Sequence, residues 1–514
     1  MIPGVFSDLF SIFFPIFCLL LCVIFGWVFG FFSGMVPGIH VNNFAVLLAS
    51  AAPVLYVFGL SPVTVSIIIL SCAVSHTFHN IIPAIFLGAP GEDTALLVLP
   101  GHRLLLDGKG PAAVRLSAMG SAGAVLASLV IMIPTAAFFY AAYPYLQPYM
   151  GFVLFFVIIL MVATEYSFQK KVAALFVFLA AGFLGVIAFR FEDTGILLSP
   201  VSFLSNSGAS VLMPLLSGLF GASQMIVSFL TESVIPDSKN SVETFPQNKF
   251  IKGVFNGTVT GALVAWIPGV SSSVAAIISG FFIGKKSRNT GKNELVDIKS
   301  GGNESDGNES DGNESDGNES DDNESDSNRS DDGGPEALDS FERNAYIDSK
   351  NEEENDAKEF IVTVSAISTA NAIFGLLALF IIGKTRSGAV VSMNQILNAA
   401  GISIDSNVFA AGNLELFFLF YITILLTGFL SYFSTIRAGN VATGFLKKIN
   451  YRKISLTVMV FLFVLVFLFT GFYGVIVFVA ATFIGFLPIV LKVKKSNLMG
   501  VILFPVMLYF FGFR

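Results

Sequence analysis

The sequence predicts an all-α polytopic membrane protein. It reads as two inverted repeats with broken helices and re-entrant hairpins, in about 10–13 membrane segments of ~20 residues each. Three observations predict this. Of 514 residues, 54% are hydrophobic and only 13% are charged, with a mean hydropathy of +0.76; a typical soluble domain carries about twice that charge. A motif occurs twice, Gly26-x3-Gly30-x6-Pro37-Gly38-Ile39 and Gly257-x3-Gly261-x6-Pro268-Gly269-Val270, with Ala45 matching Ala276 further on. Finally, when the spans are counted, the large basic clusters fall on one side, as the bias toward cytoplasmic lysine and arginine requires.

The first half opens with apolar runs at 9–32 and 41–60 around Pro37-Gly38. Proline removes a backbone donor and glycine permits left-handed backbone, so each run is expected to break and restart at mid-membrane depth. No small-residue cleavage site follows the first run, which reads as a retained helix. Residues 63–88 lead into Leu87-Gly88-Ala89-Pro90-Gly91-Glu92-Asp93-Thr94, a second re-entrant hairpin closing near Pro100. A short basic loop is expected at 101–116, then spans at 117–141, 150–166, 172–189 and 209–231. Residues 1–231 form the first repeat on this reading.

The second repeat starts at 232–284 with the Pro268-Gly269 break. It resumes at 358–514 with spans at 358–383, 411–436, 454–470, 472–491 and 498–512. Lys170-Lys171, Lys285-Lys286, Lys447-Lys448 and Lys492 to Lys495 all come out cytoplasmic. The loop 384–410 comes out on the opposite side from its counterpart 101–116, which makes the repeat inverted rather than parallel. Between the two parts, 285–357 is an acidic low-complexity linker with 23 acidic and 8 basic residues, expected to be disordered. Its repeats contain Asn-x-Ser, for example Asn303-Glu304-Ser305; these would be glycosylation sites on an outward-facing segment, and the flanking basic residues place it inside.

Broken helices in equivalent places of two halves are the sequence signature of a transporter's substrate site. A half-helix beginning inside the membrane points free N–H groups and its positive end at the break, where an anion fits. Asn42 and Asn43, and Ser271, Ser272 and Ser273, stand at those starts. They serve either as donors to a carboxylate or as plain caps, roles that one residue can combine. Together with Pro37, Gly38, Pro268 and Gly269 they form the candidate substrate site, to which Thr369 and Asn371 add polar groups that interhelical hydrogen bonding would equally explain. In the hairpin, Pro90, Gly91, Glu92 and Asp93 supply a turn and either caps or cation ligands. Lys384 and Arg386 are anion recognisers or a solvated loop.

Acidic side chains are nearly absent from the spans. Glu165 lies near a helix end within reach of Lys170, and Glu415 lies near a helix start. Coupling to Na+ therefore fits better than a carboxylate proton relay. His76 and His79 share a helix face, so a membrane metalloenzyme is the rival reading, although His-Glu-x-x-His and Gly-x-Ser-x-Gly are absent. A channel is the third. Cys18, Cys22 and Cys72 read as packing residues rather than a disulfide or metal set. No phosphate-binding loop is present, so no ATP hydrolysis is expected, and no cofactor or nucleic-acid partner is implied.

Several stretches resemble one family. Pro37-Gly38-Ile39 follows a glycine-spaced helix; Pro83-Ala84-Ile85-Phe86-Leu87-Gly88-Ala89-Pro90-Gly91 and Leu106-Asp107-Gly108-Lys109-Gly110 follow in order; Leu263 to Ser273 and Ser368-Thr369-Ala370-Asn371-Ala372 follow in the second half. Their order and spacing are similar to the large membrane subunit of the tripartite tricarboxylate transporters, the TctA family. The resemblance implies a cell-membrane, multi-pass permease in the lipid bilayer, not an enzyme, that moves a small organic anion, a carboxylate, with a cation gradient. It also implies an extracytoplasmic binding protein and a small membrane subunit as partners. The family's Thr-Pro after the hairpin Pro-Gly is Glu92-Asp93 here, and its second Ile-Pro-Gly appears as Gly383-Lys384-Thr385-Arg386-Ser387-Gly388.

Overall fold

Glycine spacing sets the first helix pair in the computed structural model, which describes residues 2–36, 41–86, 98–192, 211–230, 245–270, 272–283, 340–404, 412–446 and 451–513. Helices α1 (Ile2–Met35) and α2 (Val41–Val57) are followed by α3 (Pro62–His79), which Pro62 opens and whose Ser61 side chain caps Thr64 N at 3.2 Å. A Cβ placed on Gly26 would strike Ile68 O and Ser71, and one on Gly30 would strike Cys72 O and Ser75. The two backbones therefore touch. Ser71 Oγ donates to Val23 O at 2.7 Å and Ser75 Oγ to Trp27 O at 2.8 Å, so the hydroxyls of α3 are satisfied by α1 in a medium without water.

The chain continues through α4 (Ile81–Phe86), α5 (Val98–Leu106), α6 (Gly110–Leu146), α7 (Met150–Ala163), α8 (Phe168–Glu192) and α9 (Leu212–Leu230). The second half consists of α10 (Gln247–Val264), α11 (Ser272–Ile283), α12 (Ser340–Ile382), α13 (Gly388–Ala399), α14 (Asn413–Leu446), α15 (Tyr451–Leu491) and α16 (Gly500–Phe510). Among the described residues there is no strand, and 8 stretches are long and apolar enough to cross a membrane. Two of these are long enough for two crossings each. Gly110–Ala163, at 54 residues, is far longer than a bilayer requires and is divided by the turn Gln147–Tyr149. Ser455–Leu491 is bent at Gly471, with φ 64° and ψ −158°.

The repeat reappears as packing. Gly257 of α10 sits on Thr363 O and Ala366 of α12, and Gly261 on Ile367 O and Ala370. These are the same steps along the partner helix that Gly26 and Gly30 make along α3. The far ends of the repeats are exchanged. In α8, Gly185 meets Val501 O and Pro505 of α16, while Gly500 of α16 meets Phe178 O of α8. In the mirrored pair, Gly485 of α15 meets Leu219 O and Ser223 of α9, while Gly218 of α9 meets Phe478 O and Ala481 of α15. Each repeat thus lays its last helix against the penultimate span of the other, as two halves related by a two-fold axis would. The Gly218 contact falls in a π-helical turn, Ser217–Ala222, a local widening that accommodates the close approach.

The chain divides into two compact units, 1–283 with 357–514, and 284–356. In the first unit the core has two large buried clusters, one including Phe78, Trp266, Phe374 and Phe420 and the other Phe86, Phe178, Val274 and Leu503. The second unit contains the start of α12 at Ser340, inside the stretch expected to be unstructured; its glutamate and lysine residues are good helix formers. The repeats at 301–332 lie outside the described residues.

Several expectations need correction. The basic loop at 101–116 is helix on both sides of a three-residue turn, Asp107-Gly108-Lys109, with Gly108 at φ 78°. Burial of Leu104 and Leu105 carries α5 through its arginine. The loop at 384–410 contains α13, because Ser387 caps Val390 N at 3.3 Å and Val390, Met393, Ile396 and Leu397 bury one face. Glu165 pairs with the connection between α15 and α16 rather than with Lys170: its Oε1 accepts from Lys494 N at 3.0 Å and Asn497 Nδ2 at 3.2 Å, while Lys170 Nζ donates to Leu491 O at 2.6 Å. Glu415 does lie in the first turn of α14. The cysteines are free, with Cys22 and Cys72 buried.

Candidate functional site

Helix α10 stops at Val264 with Ala265 N still bonded to Gly261 O at 3.0 Å, and Ile267 N turns back onto Val264 O at 2.9 Å. Pro268 cannot continue the ladder, and Gly269 takes φ +75°, where a side chain is disfavoured. The chain restarts as α11 at Ser272. A broken helix therefore stands where the second Pro-Gly motif places it. At the restart Asn371 Nδ2 of α12 donates to Ser272 Oγ at 3.5 Å, and Ser272 and Ser273 are both buried. Two residues back, Thr369 Oγ1 lies 3.4 Å from Thr77 Oγ1 of α3, joining the two repeats. The structure thus joins Asn371 to Ser272 at the restart of α11 and, separately, Thr369 to the unpredicted Thr77 of α3. The first-turn N–H groups of α11 have no carbonyl of their own helix to bond, and the helix dipole places partial positive charge at this end.

Around the first Pro-Gly pair, α1 ends at Met35 and α2 begins at Val41. Asn42 and Asn43 fall in the first turn of α2. Pro37, Gly38, Ser271 and the hairpin residues Pro90, Gly91, Glu92 and Asp93 lie outside the described residues, as do the side chains of Asn42 and Asn43. Beside this break Ser33 Oγ is 2.9 Å from His76 Nδ1. His79 is fully engaged: its Nδ1 donates to Ser75 O at 2.7 Å and its Nε2 accepts from Ser434 Oγ at 2.8 Å, with Trp27 Nε1 donating to that hydroxyl at 3.3 Å. The two imidazoles have different partners, and no group of three or more potential metal ligands occurs among the described residues.

Two features escape sequence reasoning. Trp266, in the second break, is 1% exposed and stacks on Phe139 of α6 at 4.2 Å and 8°, with its Nε1 buried and unpartnered. It is one of only two tryptophans, which is the signal that marks it. Arg386, which the sequence offers as an anion recogniser or part of a solvated loop, lies against α6, where its Nη2 donates to Tyr143 Oη at 2.7 Å; Lys384 is exposed. No sequence signal couples that pair. At the other end of the bundle, burial draws the Lys494 amine below the ordinary lysine value and Glu165 draws it back.

A family model described as "Tripartite tricarboxylate transporter TctA family" matches residues 20–305 and 340–500, leaving out most of the acidic repeats. An uncharacterized protein of Methanocaldococcus jannaschii is 25% identical over 486 residues, spanning 93% of this chain and 95% of that protein. No solved structure matches the chain.

Proposed function

Because the chain belongs to the tripartite tricarboxylate transporter TctA family, we propose that it is a secondary-active permease for small organic anions. The proposed substrates are carboxylates, moved with a cation gradient and held at the two Pro-Gly helix breaks. The observation that carries this reading is the restart of α11 at Ser272, hydrogen-bonded by Asn371 and joined through Thr369 to Thr77 of the other repeat. A carboxylate bound there replaces the weak 3.5 Å contact between Asn371 and Ser272 with charge-assisted hydrogen bonds, which are shorter and stronger. Carbonyls freed where α10 ends suit Na+ as the coupling ion. An extracytoplasmic binding protein that delivers the anion and a small membrane subunit complete the proposed assembly.

The test is uptake of labelled citrate and a panel of di- and monocarboxylates into proteoliposomes, with and without an inward Na+ gradient. Saturable uptake that shows counterflow and responds to the gradient is the expected result. Non-saturating flux without counterflow would mean a channel instead.

A further inference from the structure

Arg386 follows α12 at the end of the bundle where α6 also ends. Its guanidinium lies over the Tyr143 ring, 5.4 Å from the centroid, and its Nη2 donates to the Tyr143 hydroxyl at 2.7 Å. Tyr143 is itself buried, at 6% exposure, so the hydroxyl is a fixed anchor. Only that donor is satisfied. Nε is buried without a partner, and no carboxylate among the described residues lies within ion-pairing distance of the side chain. At the opposite end of the same membrane span, Lys252 meets Glu359 at 3.4 Å. Among the described residues, a cation is neutralised near the start of this span and the one beyond its end is not.

A structural role alone explains this poorly. An arginine that only fills space beside Tyr143 gains a ring contact and one hydrogen bond, yet it carries the desolvation cost of a charge without a counter-ion. Arginine remains cationic in proteins, and its planar fork matches a carboxylate in two parallel hydrogen bonds. We infer that Arg386, aimed by Tyr143, is a carboxylate-recognition group at the mouth of the bundle, distinct from the helix breaks, that selects substrates by their number of negative charges. The inference rests on the permease reading above. On the topology predicted from the basic clusters, this end faces outward and meets the anion first.

The experiment measures binding of citrate, a dicarboxylate and a monocarboxylate to the purified full-length protein by titration calorimetry, in parallel with uptake. Arg386→Gln is expected to weaken citrate binding at least tenfold, about 1.4 kcal/mol at 25 °C, with a smaller loss for the dicarboxylate and the least for the monocarboxylate. Arg386→Lys should recover part of the loss and Tyr143→Phe should cause a partial loss; size-exclusion profiles and melting temperatures check that each variant is folded. The exposed Lys384→Gln is the control for a general surface field. Equal affinities in wild type and Arg386→Gln, an equal loss for all three ligands, or the same graded loss in Lys384→Gln would each overturn the inference while leaving the permease reading in place. A wild type that neither binds nor transports any carboxylate would overturn both.

Discussion

Asn371 and Ser272 carry the sharpest expectation at the level of single residues. Asn371→Ala and Ser272→Ala should each weaken carboxylate binding about tenfold, the worth of a charge-assisted hydrogen bond, with folded yield unchanged. Equal loss of folded protein in both would make them caps and interhelical ties. Gly500 tests packing, because a side chain there meets the Phe178 carbonyl of α8 and has no flexible neighbour to displace. Gly500→Val should cost about 1–3 kcal/mol of stability, read as a lowered melting temperature in detergent. Gly375→Ala meets nothing within 4 Å and should be neutral or slightly stabilising. At this scale the sequence marks Ser272 by its position after a Pro-Gly pair, and Thr369 and Asn371 by the segment Ser368 to Ala372 that resembles the family. It is silent on Thr77 and Tyr143, whose partners Thr369 and Arg386 lie in the other repeat. Pairings that distant leave no local trace.

Among the elements, the break between α10 and α11 is the most legible, because one proline and one glycine suffice to force it. Gly269→Ala must hold a side chain at φ +75° and should cost about 1–2 kcal/mol. It should also raise the KM for uptake, since the break would relax toward continuous helix. A stabilised variant with unaltered uptake would mean that the break is dispensable. The short helices α5 and α13 were harder to see. Charge in those stretches suggests solvent, but Leu104 and Leu105 in one, and Val390, Met393 and Leu397 in the other, bury an apolar face whatever the charged residues do. The division at Gly471 is legible for the opposite reason: an apolar run this long demands a turn, the sequence places spans at 454–470 and 472–491, and the helix bends at the glycine between them.

For the whole molecule, the composition and the repeated motif announce a two-part membrane bundle, whereas the exchange of the outer helices has no signature in either half alone. That exchange predicts the behaviour of fragments. Residues 1–284 and 340–514 expressed separately should each fail to give monodisperse protein. Co-expressed, they should co-purify and recover uptake; a monodisperse 1–284 on its own would contradict the exchanged packing. The same exchange imposes an order on biogenesis. The glycine face of α8 that receives α16 is inserted into the membrane long before residues 500–510 leave the ribosome. At roughly 5–20 residues per second it waits for tens of seconds with backbone exposed to lipid or to whatever insertion factor shelters it. The nascent chain is therefore most open to quality-control proteolysis during that interval, and a pause in translation before α16 would lengthen it.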